Sequence, residues 1–127
     1  MSAHDVRVRR DDARSFLETA RLLVECDVQA DWTTAGSNAV LGGIAASDAI
    51  CGAVLGEHHN GEDHREAKRL LDRATSPDTT PGVNLKRLVD EKTNYQYSSA
   101  RVTLAGTRRL ITALERLVEK MDAVLQG

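Results

Sequence analysis

Apolar residues recur at three- and four-residue spacing along most of the chain, and the pattern predicts a series of helices with no strand among them. Ala13, Phe16, Leu17, Ala20, Leu23 and Val24 form one stripe, which predicts a first helix over 12–27. A second, longer helix is expected from Asp31, its N-cap, to Gly56, which ends it. Ala67, Leu70, Leu71 and Ala74 mark a third helix over 64–74, opened by the capping-box spacing of Asp63 and Glu66. Leu85, Leu88, Val89 and Lys92 mark a short fourth, and a broad face from Leu104 to Leu125 marks a long last one over 103–125. T-S-P-D-T-T-P-G, with both prolines, reads as a loop.

The second helix organises the rest. Of its 26 residues from Asp31 to Gly56, 13 are Ala, Gly or Ser, and Ala35, Ala39, Gly42, Ala46, Ala49 and Ala53 repeat along one side. That side admits close approach by a neighbour. Val40, Leu41, Ile44, Ile50, Val54 and Leu55 spread around the remainder, and a helix apolar nearly all round is buried by other helices. Each internal glycine costs roughly 0.5–1 kcal/mol of helix propensity relative to alanine, so packing has to compensate. The expected architecture is an all-α, antiparallel four-to-five-helix bundle, one domain over 1–127, with 1–11 a flexible N-terminus whose Arg7, Arg9 and Arg10 are solvated. The very short connection after the first helix makes the first two antiparallel.

Composition narrows this further. The chain is 41% hydrophobic and 28% charged but only 3% aromatic, so it folds around an aliphatic, alanine-rich core. Ala39–Leu55 is the one stretch apolar enough to invite a membrane reading. It is short for a span, carries Asp48 near its middle and has acidic flanks, so no membrane is expected. M-S-A-H-D-V-R-V-R-R lacks the apolar run of a secretory signal, and Cys26 and Cys51 lack metal-ligand spacing. A cytoplasmic protein with reduced thiols is the expectation.

Net charge is −2, unevenly placed: residues 1–63 carry 5 Lys/Arg against 11 Asp/Glu, and residues 64–127 carry 12 against 8. The asymmetry suits a local anion site or an acidic face meeting a basic one.

Candidate chemistry falls in three places. Asp48 interrupts an apolar helix, and an ionised carboxylate there needs a partner from a neighbouring helix or a place at the edge of a pocket. The segment E-H-H-N-G-E-D-H offers His58, His59 and His64 as weak candidates for a metal, without the i, i+4 pair of a helical zinc site; no metal or cofactor is expected. His64, held beside Asp63 at a helix start, is the histidine best placed to exchange protons. Arg65, Lys68, Arg69 and Arg73 give the third helix a basic face. Finally Lys92, Tyr95, Tyr97 and Arg101 gather two phenols and two cations that could hold phosphate and stack on a base, or simply cover the open end of the bundle.

S-N-A-V-L-G-G-I-A-A-S-D-A-I-C-G, then E-D-H-R-E-A-K-R-L-L, then a short helix ending K-T-N-Y-Q-Y-S and a long last helix, together resemble the HEPN superfamily. The resemblance runs from about Asp12 to Leu125, on helix packing plus Asp48, Asp63-His64 and Lys92-x-x-Tyr95. It implies a small helical bundle, commonly dimeric, of the kind found in toxin-antitoxin, phage-defence and RNA-processing systems. Ribonuclease members carry an arginine followed, after four to six residues, by a histidine near the start of the final helix, where the pair forms a composite site across the dimer. This chain has no histidine after His64, and none of His58, His59 and His64 has an arginine at that distance before it. The family's ribonuclease activity therefore does not carry over.

What the resemblance implies is a non-catalytic HEPN-like binding module, a homodimer, for RNA, a nucleotide or a partner protein such as a nucleotidyltransferase in a toxin-antitoxin, stress or defence system. Asp48, His64, Arg65, Arg69, Lys92, Tyr95 and Arg101 are its candidate ligand-binding residues. Two rival expectations stand beside it. One is a divergent, metal-independent ribonuclease with His64 as general acid/base, Asp48 nearby, and Lys92 or Arg101 stabilising the charge that develops. The other is a purely structural dimer joined through its Ala/Gly helices.

Overall fold

The computed structural model describes residues 1–59, 63–96 and 102–127. Among them are six helices and no strand: α1 (Ala3–Val24), α2 (Gln29–Leu55), α3 (His64–Thr75), α4 (Thr80–Asp90), α5 (Lys92–Gln96) and α6 (Leu104–Gln126). The chain is an all-α helical bundle, and α5, a single short turn after α4, takes the count past the expected four or five.

α2 packs against each of the other five helices. Its small residues allow this. A Cβ added at Gly42 would lie 2.8 Å from Leu114 Cδ2, and one at Gly43 would lie 2.6 Å from Leu88 Cδ1, so α6 and α4 rest directly on the α2 backbone. Ala35, Ala39, Ala46 and Ala49 are fully buried on the same helix. The small-residue side is thus packed against other helices of the same chain, and of its repeating residues only Ala53, at its end, is exposed. Ile50, Leu71, Leu85, Leu88, Leu114, Leu117 and Met121 fill the core from α2, α3, α4 and α6. α2 is long and apolar enough to cross a membrane, yet 61% of its most apolar window is buried within the bundle.

α1 and α2 are antiparallel, since the Met1 ammonium donates to Gly56 O at 2.8 Å and so joins the start of one to the end of the other. α1 begins at Ala3 rather than Asp12, and the residues expected to form a flexible N-terminus are helical. Ser2 and Asp5 form a reciprocal capping box, with Asp5 N donating to Ser2 Oγ at 3.0 Å and Ser2 N donating to Asp5 Oδ2 at 3.1 Å. Val6 extends the buried stripe of Ala13, Leu17, Ala20 and Val24 by two turns.

Asp31 is not the cap of α2. Val28 takes that position without a side-chain hydrogen bond, and Asp31 sits in the first turn, where a negative charge complements the helix dipole. Trp32 Nε1 donates to Cys26 O at 2.7 Å and so closes the α1–α2 turn. Gly56 ends α2 in the left-handed region, φ 75°. α4 starts inside the proline-rich stretch expected as loop, because Pro81 fits a first turn, where its missing N–H costs no helical hydrogen bond.

Candidate functional site

α2, α3 and α4 enclose a cavity of about 110 Å³. Its apolar wall is Ile44, Ala67, Leu70, Leu85 and Val89; its polar groups are Ser47, Asp48, Cys51, His59, His64 and Lys92. Each arrives there for a local reason. Asp48 lies one turn from Ile44 and Cys51 on α2. His64 is the first residue of α3, fixed because Asp63 caps the helix and accepts from Arg65 N at 3.0 Å. That hydrogen bond holds the Asp63 carboxyl below the ordinary carboxylate value. Lys92 opens α5 directly after α4. Three of the expected binding residues, Asp48, His64 and Lys92, thus line one hollow.

Asp48 is 14% exposed and already engaged: Arg9 Nη2 lies 3.0 Å and Nε 3.1 Å from its Oδ2. Burial raises its pKa, while Arg9, then the charges of His58 and His59, oppose the rise. The Cys51 thiol is pushed up to about 11, again by burial. His59 Nε2 is buried in the cavity wall with no hydrogen-bond partner among the described residues. Lys92 has no carboxylate within 4.0 Å among them.

The other expected residues go elsewhere. Arg65 and Arg69 lie on the solvent side of α3, with side chains 88% and 73% exposed, and pair with Asp63 and Glu66. Tyr95 is 5% exposed, its ring laid against Gly36 and its hydroxyl 3.0 Å from Thr107 Oγ1, so it covers the end of the bundle and presents no face for a stacked base. Burial raises its pKa. Tyr97 and Arg101 lie outside the described residues. No three His, Cys, Asp or Glu side chains converge as a metal site among the described residues, so His58, His59 and His64 do not form one there.

Sequence reasoning missed Arg9 as the partner of Asp48 and His59 as a cavity residue. Arg9 lies between Val6 and Ala13 on the stripe that α1 buries, a spacing that marks a cation turned inward. His59 carries no such signal, because its burial depends on where the chain goes after α2.

At 110 Å³ the cavity is smaller than the roughly 300–1,000 Å³ of pockets that enclose drug-sized ligands. It suits a group of a few heavy atoms, with an ammonium and imidazoles offering donors to an anionic or carbonyl oxygen. No family model matches the chain, and no curated protein matches it.

Proposed function

We propose that the chain is a non-catalytic, HEPN-like binding module for RNA, working as a homodimer in the cytoplasm as part of a toxin-antitoxin, stress or defence system. The observation that carries this reading is the cavity, where His64, together with His59 Nε2 and Lys92, which have no hydrogen-bond partner and no counter-ion respectively among the described residues, stands beside a carboxylate that Arg9 already holds. Such a set supplies donors for an oxygen-rich ligand. It leaves Asp48 poorly placed to act as a free base, which favours binding over catalysis. A phosphate or base edge at the end of a longer ligand matches the size of the hollow, with the rest of the ligand outside it.

The test is a gel assay of purified protein with labelled single-stranded RNA, with His64→Ala alongside, reading retardation and cleavage in the same lanes. Retarded, intact RNA supports the module, and weaker retardation by His64→Ala locates the contact. Cleavage that His64→Ala abolishes would replace this reading with the ribonuclease in which His64 is the general acid/base. No retardation and no cleavage would turn the search to a nucleotide or a protein partner such as a nucleotidyltransferase.

A further inference from the structure

The packing of α4 on α6 builds a second polar surface. Arg87 of α4 and Arg108, Arg109, Thr112 and Arg116 of α6 line a shallow groove of about 290 Å³. Through Arg87 and Arg109 it continues into a hollow of about 570 Å³, whose wall adds Asn94 and Thr103, one carboxylate, Glu91, and the apolar Tyr95, Val102 and Leu110. Leu85 and Val89 face the cavity described above, and Arg87, two residues from each and so roughly 200° around the helix, faces away from it. Arg109 and Arg116 are seven residues apart, which places them two turns and about 10 Å apart on one face of α6.

All four arginines are exposed. Most cations elsewhere are matched: Arg9, Arg14 and Arg21 of α1, and Arg65, Arg69 and Arg73 of α3, each have a carboxylate within 4.0 Å, while Arg7 and Lys92 stand singly without one among the described residues. On the α4–α6 face only Arg108 has one, Glu25 at 3.4 Å. Arg87, Arg109 and Arg116 have none among the described residues. Glu115, the neighbour of Arg116 in sequence, is turned to Arg21 at 2.7 Å. Like charges gathered without counter-ions repel one another and work against the fold, so the cluster gains only when an outside anion enters it.

We propose that this groove binds the sugar-phosphate backbone of single-stranded RNA. The inference rests on the RNA reading above and gives the ligand a track outside the cavity. Guanidinium groups take phosphate oxygens through paired N–H donors, and two turns of α6 present them to successive phosphates rather than to one. A protein partner fits less well, since interfaces between proteins are anchored on aromatic and aliphatic side chains; the arginine groove has none, and in the adjoining hollow Tyr95 and Leu110 are buried in the core.

The experiment is fluorescence anisotropy of the full chain with labelled oligouridine across a salt series. It compares the wild type, the triple variant Arg87→Gln, Arg109→Gln, Arg116→Gln, the variant His64→Ala, and a control in which Arg7, Arg10 and Arg14 are changed to Gln. In the triple variant affinity falls at least about tenfold, and the slope of log affinity against log salt falls by about 2, at about 0.7 per lost phosphate contact. The control, with the same charge removed from α1, stays within about twofold of the wild type. The single variant Arg116→Gln, at an exposed position, gives a smaller loss in the same direction and guards against a triple variant that misfolds.

A triple variant that binds like the wild type, beside a His64→Ala that does not, overturns the groove and leaves RNA at the cavity. Equal losses in triple and control also overturn it, because the effect is then net charge alone. Polyglutamate displacing RNA as well as polyuridine does would make the groove a site for an acidic protein instead. A wild type that binds no RNA at any salt overturns both this inference and the reading on which it rests.

Discussion

Arg9 Nε and Nη2 converge on a single oxygen of Asp48, Oδ2, at 3.1 and 3.0 Å, while Arg9 Nη1 lies 2.9 Å from Asp12 Oδ2. One guanidinium therefore crosses from α1 to the C-terminal half of α2 and holds the carboxylate that borders the cavity. The pair has two consequences, since Asp48 helps to join the antiparallel helices and also sets the charge at the site.

Removing one partner exposes the cost of the other. Arg9→Ala leaves a carboxylate with 14% exposure unpaired and is expected to destabilise the fold by about 2 kcal/mol, less than the roughly 3–5 kcal/mol of a fully buried pair because Arg9 is 30% exposed. Asp48→Asn costs less, because the amide oxygen still accepts from Arg9 and no buried charge remains.

The pH dependence of that pair follows from the raised pKa of Asp48. A raised value means that the native state holds the proton more firmly than the unfolded chain does, so stability falls as pH rises from the ordinary value of 3.8 through the raised one. Urea unfolding of the wild type and Asp48→Asn over that range should show the wild type losing stability relative to the variant as pH increases. A constant difference would mean that Asp48 ionises as it does in water.

Much of this arrangement was legible in the sequence, and the exceptions have separate physical origins. The spacing of α2, its end at Gly56, the Asp63 cap and the broad face of α6 are local patterns, and a helix records its buried side every three or four residues. The expected start of α1 at Asp12 falls nine residues short of Ala3 because the run Arg7 to Asp12 masks the single apolar residue, Val6, that continues the stripe. Asp48 and His64 were recognisable as out-of-place polar groups, and Lys92 as a cation at a helix junction. That they share a cavity while Tyr95 turns into the core and Arg65 and Arg69 face solvent depends on helix rotation, which spacing alone does not define. The arginine groove was the least legible feature. Arg87 lies far in sequence from Arg109 and Arg116, and the three become neighbours only when α4 packs on α6.

The two cysteines should separate cleanly. Cys26 is exposed and Cys51 is buried, so Ellman's reagent at mildly alkaline pH should titrate one thiol quickly in the native protein and two after denaturation. Because burial lifts Cys51 from 9.0 to about 11, the unfolded chain releases that proton first, and stability falls between those values as pH rises. Over the whole interval the loss is roughly 2 kcal/mol, and Cys51→Ser removes that part of the alkaline limb. A native protein in which both thiols react at the same rate would show that the α2–α3–α4 cavity opens readily.

Tyr95 offers the sharpest test of packing. Its Cδ1 would lie 2.0 Å from a Cβ at position 36, Ser37 Oγ donates to its carbonyl at 2.7 Å, and its hydroxyl meets Thr107, so one residue of α5 joins α2 to α6. Gly36→Ala improves helix propensity by about 1 kcal/mol yet forces the ring out, for which overpacking costs roughly 1–3 kcal/mol. The net expectation is a less stable protein with altered near-ultraviolet circular dichroism. Tyr95→Phe keeps the ring and costs only about 1 kcal/mol for the lost hydrogen bond. In a Tyr95→Leu background the clash is relieved, and Gly36→Ala should become neutral or stabilising; thermal melts of the four proteins measure this coupling. If Gly36→Ala instead stabilises the wild type by the full propensity gain, the ring moves aside without cost and α5 is not pinned to α2 through Tyr95.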